Sequence, residues 1–178
     1  MPKNYEHYIK PVPEVSDYAK NLNHVLVSSV DELKGIFRKY ESEHKIDQIA
    51  WDTETSSLNP EEGQIVGFSF SYDGINGYYV PVNHIDIKLG KPALDYFYNM
   101  LQCSKLSILY NARFDLRFME YSGYDMSVIN FVDIFNWAWL ADTNVSFPSL
   151  KDSERRYLGW LPPKFEETLG AYSNFMYV

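Results

Sequence analysis

The sequence lacks the features that would mark a disulfide-bonded, zinc-clustered or membrane-spanning protein. It has one cysteine, Cys103, which excludes an internal disulfide and a zinc site built from several cysteines. No stretch approaches the roughly 20 apolar residues of a membrane span, and the polar start MPKNYEHYIK has no signal-peptide core. We therefore expect a soluble protein of a reducing, cytoplasmic setting, with Cys103 as a small core residue.

An excess of positive charge is also missing. The net charge is −8, whereas a domain that binds nucleic acid by broad electrostatic attraction needs many Lys and Arg residues at phosphates. Metal ions at an acidic site, or a neighbouring domain, can supply the missing positive charge. The acidity therefore disfavours autonomous DNA binding without excluding chemistry on DNA.

The sequence does contain enough apolar residues for one globular domain. Of its 178 residues, 46% are hydrophobic, and 17% are aromatic. The aromatic share indicates a Tyr-rich core, stacking surfaces for bases or a docking face for another domain, and composition does not separate these three.

The hydrophobic patterns predict an α/β fold. Residues 1–23 show no periodicity and are interpreted as an N-terminal leader. Alternating or continuous apolar runs predict five strands, and helical spacing predicts helices between and after them. The strand segments are VLVSS, QIAWD, QIVGFSFSY, YYVPV and KLSILY, and the helical ones are SVDELKGIFRKYESEH, ALDYFYNMLQC, NARFDLRFMEYSG, DIFNWAWLAD and SLKDSERRYLGW.

Two carboxylates at the end of an apolar strand are the first chemical signal. Asp52 and Glu54 stand at positions i and i+2, so both side chains leave one face of the strand. Their repulsion can be relieved by a shared proton or by a divalent cation. Asp115, early in the helix after KLSILY, adds a third acid if KLSILY pairs with QIAWD. Three oxygen donors without His or Cys favour Mg²⁺ or Mn²⁺.

Several segments together resemble a known family. DTETSSL and NARFD are similar to the first two motifs of the DEDD 3′-5′ exonucleases, and IVGFSFS, YYVPVNH, VDIFNWAWLAD and KFEETLG follow in matching order. The nearest likeness is the proofreading domain of polymerase-I-type (family A) DNA polymerases. The resemblance implies a ribonuclease-H-like mixed sheet, in which an antiparallel three-stranded meander and parallel strands are flanked by helices. It implies an exonuclease domain over residues 24–178, incomplete at its C-terminal end.

The resemblance also implies roles for particular residues. Asp52, Glu54 and Asp115 would be catalytic and would hold two divalent cations, Mg²⁺ or Mn²⁺. Leu58 would wedge against the last base, although a lone Leu is more often core. Asn111 would contact the terminal nucleotide and could also cap its helix. The remaining implied substrate contacts come from Thr53 and from Phe114, which could equally be an ordinary helix anchor.

The family's third motif, Tyr-x-x-x-Asp, is expected after KFEETLG, and none occurs there. The resemblance therefore implies little or no hydrolysis by this chain alone. It also implies a downstream polymerase domain or second polypeptide as partner, a single-stranded 3′ DNA end as substrate, and a bacteriophage as one candidate source. Two alternatives remain open: a non-catalytic module that binds DNA or a replication partner, and an exoribonuclease related to ribonuclease D.

Overall fold

A computed structural model describes residues 21–43, 47–143 and 149–159 of the chain. The chain divides into two compact units, one formed by Leu22–Ile134 and the other by Met1–Asn21 together with Phe135–Val178. The KFEETLG segment and most of the leader lie outside the described residues. The predicted limits of leader and exonuclease domain stay predictions.

The first unit is built on a six-stranded mixed sheet with the order β1-β4-β3-β2-β5-β6. Strands β2, β3 and β4 form the predicted antiparallel meander, while β1 pairs with β4, and β5 with β2, in parallel. The condition on which convergence of the acids depends, a pairing of KLSILY with QIAWD, is met, and the pairing is parallel. The strands are β1 Asn23–Leu26, β2 Gln48–Thr55, β3 Ile65–Ser71, β4 Asn76–Pro81, β5 Leu106–Leu109 and β6 Phe131–Asp133.

Strand β6 was not among the predicted strands. It contains three residues, FVD, and pairs in parallel with β5 from Ser107↔Phe131 to Leu109↔Asp133. Three residues are too few to show a period of two, so its pairing depends on β5 rather than on its own pattern. Its last residue, Asp133, reaches the site described below.

Three helices accompany this sheet at the predicted places: α1 Val30–Ser42, α2 Gly90–Cys103 and α3 Ala112–Tyr121. Ser29 caps α1, because its hydroxyl accepts a 3.1 Å hydrogen bond from the backbone N–H of Glu32. After α3, Gly123 adopts a φ of 94°, a conformation that glycine reaches without the steric cost of a Cβ atom.

Helices α1 and α2 supply aromatic rings to the core beside the sheet. Phe97 of α2 stacks on Phe68 of β3 at 4.0 Å between ring centroids, and Trp51 of β2 meets Phe97 edge-on at 5.5 Å. Burying each such side chain contributes about 1.5–3 kcal/mol. The prediction of Cys103 as a core residue was wrong, because its side chain at the end of α2 is exposed.

The second unit contains the predicted helices DIFNWAWLAD and SLKDSERRYLGW in its described part. Helix α4 spans Ile134–Ala141, and helix α5, Leu150–Ser153, continues into a π-helical turn at Glu154–Leu158. Trp137 and Leu140 of α4 are each 67% exposed. Among the described residues, no helix is both long and apolar enough to cross a membrane.

Candidate active site

Strand β2 carries two of the three predicted acids on the side away from the aromatic core. Ile49, Trp51 and Thr53 are buried, whereas Asp52 and Glu54 are exposed, as the alternation of strand side chains requires. The pairing of β2 with β5 ends at Ala50↔Ile108. Beyond that pair, the edge of β2 that faces β5 is no longer covered by a strand.

Asp115 of α3 occupies this uncovered edge. Its Oδ1 accepts a 2.8 Å hydrogen bond from the backbone N–H of Thr53 and a 2.6 Å bond from the Thr53 hydroxyl. The backbone N–H of a strand lies in the plane of the sheet, so Asp115 lies at the edge rather than on the far face. The carboxylate is 1% exposed, and a buried charge of this kind requires such donors.

The three carboxylates influence one another's ionisation. Although Asp52 reaches solvent, surrounding protein removes part of its hydration, and with the charges of Asp115 and Glu54 this raises its pKa to about 7. Burial also raises the pKa of Glu54, against the lowering effect of His84. Burial raises the pKa of Asp115 overall, although the two hydrogen bonds from Thr53 oppose this shift. The three acids therefore lie within electrostatic range of one another.

The donor set fits a hard divalent cation chemically, because carboxylate oxygens are the ligands that Mg²⁺ and Mn²⁺ prefer. A cation would also offset the burial and the repulsion that together raise the pKa of Asp52. In the arrangement described for residues 21–43, 47–143 and 149–159, however, no three His, Cys, Asp or Glu side chains form a group that could hold a metal. Asp52 and Glu54 share the exposed face of β2, whereas the Asp115 Oδ1 is bonded to Thr53.

The turn before α3 holds Asn111 in an uncommon conformation. Its backbone is left-handed, with φ 61° and ψ 50°, and its side chain makes no capping bond to the helix. Asp133 of β6 caps instead, accepting bonds from the backbone N–H groups of Asn111 (2.9 Å) and Ala112 (3.1 Å). The capping role that the sequence left open for Asn111 therefore belongs to Asp133.

A pocket of about 170 Å³ lies beside this turn. Leu58 is 88% exposed at its rim, so the alternative of Leu58 as a core residue was wrong. Both alternatives for Phe114, a helix anchor and a substrate contact, agree with its position, because it packs partly against the core and also lines the pocket. The lining residues are Leu58, Pro60, Asn111, Arg113, Phe114, Arg117 and Phe118.

Sequence reasoning missed four contributors to this region. Arg113 and Arg117 stand four residues apart on α3, a spacing that puts both on one helix face and that could have indicated an anion-binding face. The anchoring role of Thr53 and the cap from Asp133 had no local signal, because their partners lie 62 and 21–22 residues away. The Thr53 N–H is engaged by Asp115, and the predicted substrate contact of Thr53 stays a prediction.

Known proteins resemble this chain in both sequence and fold. A family model described as 3′-5′ exonuclease matches residues 25–176. DNA polymerase I of Borreliella burgdorferi is 30% identical over 138 residues, which are 76% of this chain and 15% of that protein. Thus the chain spans about 15% of this relative's length.

Solved structures share the fold at low sequence identity. Brucella melitensis NrnC with bound Mg²⁺ is 18% identical, with a TM-score of 0.57, over 88% of this chain and 71% of that one. Escherichia coli RNase D, an exoribonuclease, is 16% identical, with a TM-score of 0.57, over 82% of this chain and 36% of that one. These neighbours and the mixed sheet confirm the predicted ribonuclease-H-like fold. The chain belongs to the 3′-5′ exonuclease family of the DNA polymerase I type.

Proposed function

We propose that this chain is a proofreading module that removes nucleotides from single-stranded or frayed 3′ ends of DNA with the help of two divalent cations, Mg²⁺ or Mn²⁺. One observation carries the proposal: Asp115 is bonded to Thr53, the residue between Asp52 and Glu54. Three carboxylates from two distant parts of the chain are thereby brought to one end of strand β2, next to a pocket.

The roles of the acids follow from their surroundings. Asp52 and Glu54 would hold the cations on the exposed face of β2, and Asp115 would contribute its second carboxylate oxygen from the strand edge. When bound, such cations lower the pKa of an attacking water and stabilise charge on the phosphoryl group. Thr53 would hold Asp115 in place, and its two hydrogen bonds favour the charged form of this carboxylate against the larger effect of burial, which raises its pKa.

The pocket beside α3 would receive the terminal nucleotide. Leu58 and Phe114 offer apolar surface for a base, and Asn111 offers an amide that no helix cap consumes. Arg113 and Arg117 would contact a phosphate, since guanidinium groups match phosphate oxygens. These two cations give a protein of net charge −8 local attraction for a nucleic acid strand.

The similarity to DNA polymerase I supports a polymerase domain, or a second polypeptide, as the working partner. We place the module in the cytoplasm, the host cytoplasm if a phage encodes it, which agrees with its single cysteine. The polymerase partner would also supply the long-range positive field that this acidic chain lacks.

A non-catalytic strand-binding module is the second candidate. It is favoured by the absence, among the described residues, of any three side chains grouped as metal ligands. In that case Leu58, Phe114 and the two arginines would bind a strand that is never cut. The intact set of three acids favours the enzyme over this candidate.

Cleavage and metal binding together test the proposal. A 5′-labelled single strand is incubated with the chain and Mn²⁺, and Mn²⁺ affinity is measured by calorimetry in parallel. We expect micromolar to millimolar Mn²⁺ binding and a ladder of products, each one nucleotide shorter than the last. Asp52→Ala should abolish both Mn²⁺ binding and cleavage, because it removes the acid on which the charges of both other acids act.

Matched controls separate the alternatives. Asp31→Ala removes an acid from the exposed face of α1, where Asp31 pairs with Lys34 at 3.1 Å, and should leave cleavage and Mn²⁺ binding unchanged. Strand binding without cleavage and without Mn²⁺ affinity would refute the enzyme and support the binding module. Preference for an RNA strand over a DNA strand of the same sequence would replace the proofreading role with that of an exoribonuclease.

A further inference from the structure

The loop between strands β2 and β3, residues 56–64, forms one wall of the pocket. It contributes Leu58 and Pro60 to the lining, and Pro60 is buried although it belongs to a loop. The remaining lining residues come from helix α3 and the turn before it. The position of the loop relative to α3 therefore sets the width of the pocket.

Hydrogen bonds within the loop make it one stiff unit. At its base, the Ser56 N–H donates to the Gln64 carbonyl oxygen, and the Gln64 N–H donates to the Ser56 hydroxyl, both at 3.0 Å. At its centre, the Asn59 carbonyl oxygen accepts a 3.0 Å bond from the Gly63 N–H, and the Asn59 side-chain oxygen accepts a 3.2 Å bond from the Glu61 N–H. A contact that fixes Glu61 therefore restrains the rest of the loop as well.

Glu61 is joined to helix α3 by such a contact. Its Oε1 accepts a 2.9 Å hydrogen bond from the hydroxyl of Tyr121, the last residue of the helix. Tyr121 follows Phe118 by three residues and Arg117 by four, so it lies on the helix face that these two pocket residues occupy. A hydrogen bond to a carboxylate is stronger than one between neutral groups, which suits this bond to hold two elements together.

We propose that the hydrogen bond between Tyr121 and Glu61 holds loop 56–64 against α3 and makes both residues positioning residues for the 3′-terminal nucleotide. The inference rests on the proposed function, in which the pocket receives that nucleotide. Leu58 is almost wholly exposed, so its own packing does little to hold it and its position follows that of the loop. Without the bond, the loop would occupy the binding position for part of the time, and the apparent affinity for a 3′ end would fall by that fraction.

Binding of a 3′ end in EDTA tests the inference without any contribution from a cation. Two 5′-fluorescein-labelled thymidine strands are compared by anisotropy, one with an intact 3′-terminal nucleotide and one whose last sugar carries no base. Tyr121→Phe removes only the hydroxyl and keeps the charge of Glu61. It should weaken binding of the intact strand roughly 3–10-fold, as a loop in place for about a third to a tenth of the time would. Its affinity for the abasic strand should equal that of wild type, because Leu58 would contact the base.

Tyr98→Phe is the matched control. The Tyr98 hydroxyl, on α2, donates a 2.8 Å hydrogen bond to the Asp125 carbonyl oxygen, and Tyr98 lies outside the pocket lining. This variant should bind both strands as wild type does. Melting temperatures of the two tyrosine variants check that both are folded.

Leu58→Ala shows whether the hydrogen bond acts through the loop. This variant should bind the intact strand more weakly than wild type, because it removes apolar surface at the rim of the pocket. Tyr121→Phe should have a much smaller effect in the Leu58→Ala background than in wild type, since the two changes interrupt one chain of contacts.

The outcomes distinguish the inference from the proposed function. Equal binding of intact and abasic strands by wild type, with no loss in Leu58→Ala, would refute the pocket as the site of the terminal nucleotide, and the inference with it. Weaker binding by Leu58→Ala together with wild-type affinity in Tyr121→Phe would overturn the inference alone. An equal loss in Tyr98→Phe and Tyr121→Phe, or an equal loss by Tyr121→Phe on both strands, would likewise overturn it, because the effect would then not depend on the base in the pocket.

Discussion

Asp52 is the residue whose ionisation differs most clearly from that of an isolated side chain at this site. Loss of hydration and the neighbouring charges of Asp115 and Glu54 hold its pKa near 7, whereas an aspartate in an unfolded chain ionises near pH 4. An active site that concentrates negative charge in this way lowers the stability of the cation-free protein. In the proposed function, the same charge would attract divalent cations.

A pH dependence of stability follows from this shift. Between about pH 4 and pH 7 the folded protein keeps a proton on Asp52 that the unfolded chain has lost, so stability falls as pH rises through this range. Asp52→Asn should reduce that fall by on the order of 1 kcal/mol, a value discounted because the side chain reaches solvent. Urea denaturation at pH 5 and pH 8 in EDTA measures the difference.

The control for this prediction changes an acid outside the cluster. Asp31→Asn alters a carboxylate that is 91% exposed on α1 and should keep the wild-type pH dependence. If wild type and Asp52→Asn lost the same stability between the two pH values, the pKa of Asp52 would not be raised in the folded protein.

The hydroxyl of Thr53 should contribute measurably to stability, because it bonds the buried Asp115 carboxylate. Thr53→Val keeps the shape of the side chain but removes the 2.6 Å bond to the buried Asp115 carboxylate. We expect a loss of about 1.5–3 kcal/mol at pH 8, because a buried charge would lose one of its two donors from Thr53. The pKa of Asp115 should rise further. Denaturation by urea gives the first quantity.

Two variants of the same strand provide the comparison. Thr53→Ser retains a hydroxyl and should lose much less stability than Thr53→Val. Thr55→Val removes a bond from a hydroxyl to the neutral backbone oxygen of Ser57 at 2.8 Å, which contributes about 1 kcal/mol. Similar losses in Thr53→Val and Thr55→Val would contradict the special role of the bond to Asp115.

At the scale of elements, the site depends on where two strands end and where one helix begins. Strand β5 stops while β2 continues, which leaves the edge of β2 open for Asp115. Strand β6 ends at Asp133, whose carboxylate caps the start of α3. A helix N-terminus favours a negative charge, so this cap is electrostatically suitable as well as geometrically close. The left-handed turn at Asn111 is fixed by the same carboxylate.

Removing this cap should affect both stability and binding. Asp133→Ala should lower stability by about 1 kcal/mol, as loss of a helix cap does, and should weaken binding of a 3′ single strand. Binding weakens because Asn111 and Asp115 are on the turn and helix that Asp133 fixes. Urea denaturation and fluorescence anisotropy with Ca²⁺ replacing Mg²⁺ measure the two effects.

Asp125 offers a matched cap elsewhere. It accepts bonds from the backbone N–H (3.0 Å) and hydroxyl (2.6 Å) of Ser127 at the start of a short 3₁₀ helix, Met126–Val128. Asp125→Ala should lower stability without changing strand affinity. If Asp125→Ala and Asp133→Ala weakened strand binding equally, the effect on binding would be attributable to stability alone.

At the scale of the whole molecule, the charge distribution determines the affinity that we expect this chain to have for nucleic acid. Its net charge is −8, yet Arg113 and Arg117 line the pocket next to the acids. A protein with two phosphate contacts releases few counterions on binding a strand. The isolated chain should therefore bind DNA weakly, with an affinity that varies little with monovalent salt.

The salt dependence can be stated as a slope. For a single strand, log affinity falls by roughly 0.7 per phosphate contact for each unit of log salt, so two arginines predict a slope of about −1.4. Anisotropy titrations between 50 and 200 mM KCl, at constant Ca²⁺, would measure it. Arg117→Gln should reduce the slope to about −0.7, whereas Arg38→Gln, on α1, should leave it unchanged. A slope steeper than about −4 would contradict a site limited to these two contacts.

Local patterns in the sequence determined the elements and the candidate acids of this protein. Helical and strand periods are properties of neighbouring residues, and Asp52 and Glu54 are two positions apart on one strand, so both could be predicted without a fold. The meander followed from the apolar runs and the turns between them, whereas the pairing of β5 with β2 was only a condition in the sequence and was decided by the sheet.

Tertiary structure alone decided which of these residues meet. Asp115 bonds to Thr53 across 62 positions, and Asp133 caps a helix that begins 21 positions earlier. None of these contacts has a local signal, because each depends on the register between strands and on where β5 and β6 end. The identity of the acids is therefore readable from single residues in the sequence. The surroundings that shift their pKa values result from packing across the sheet.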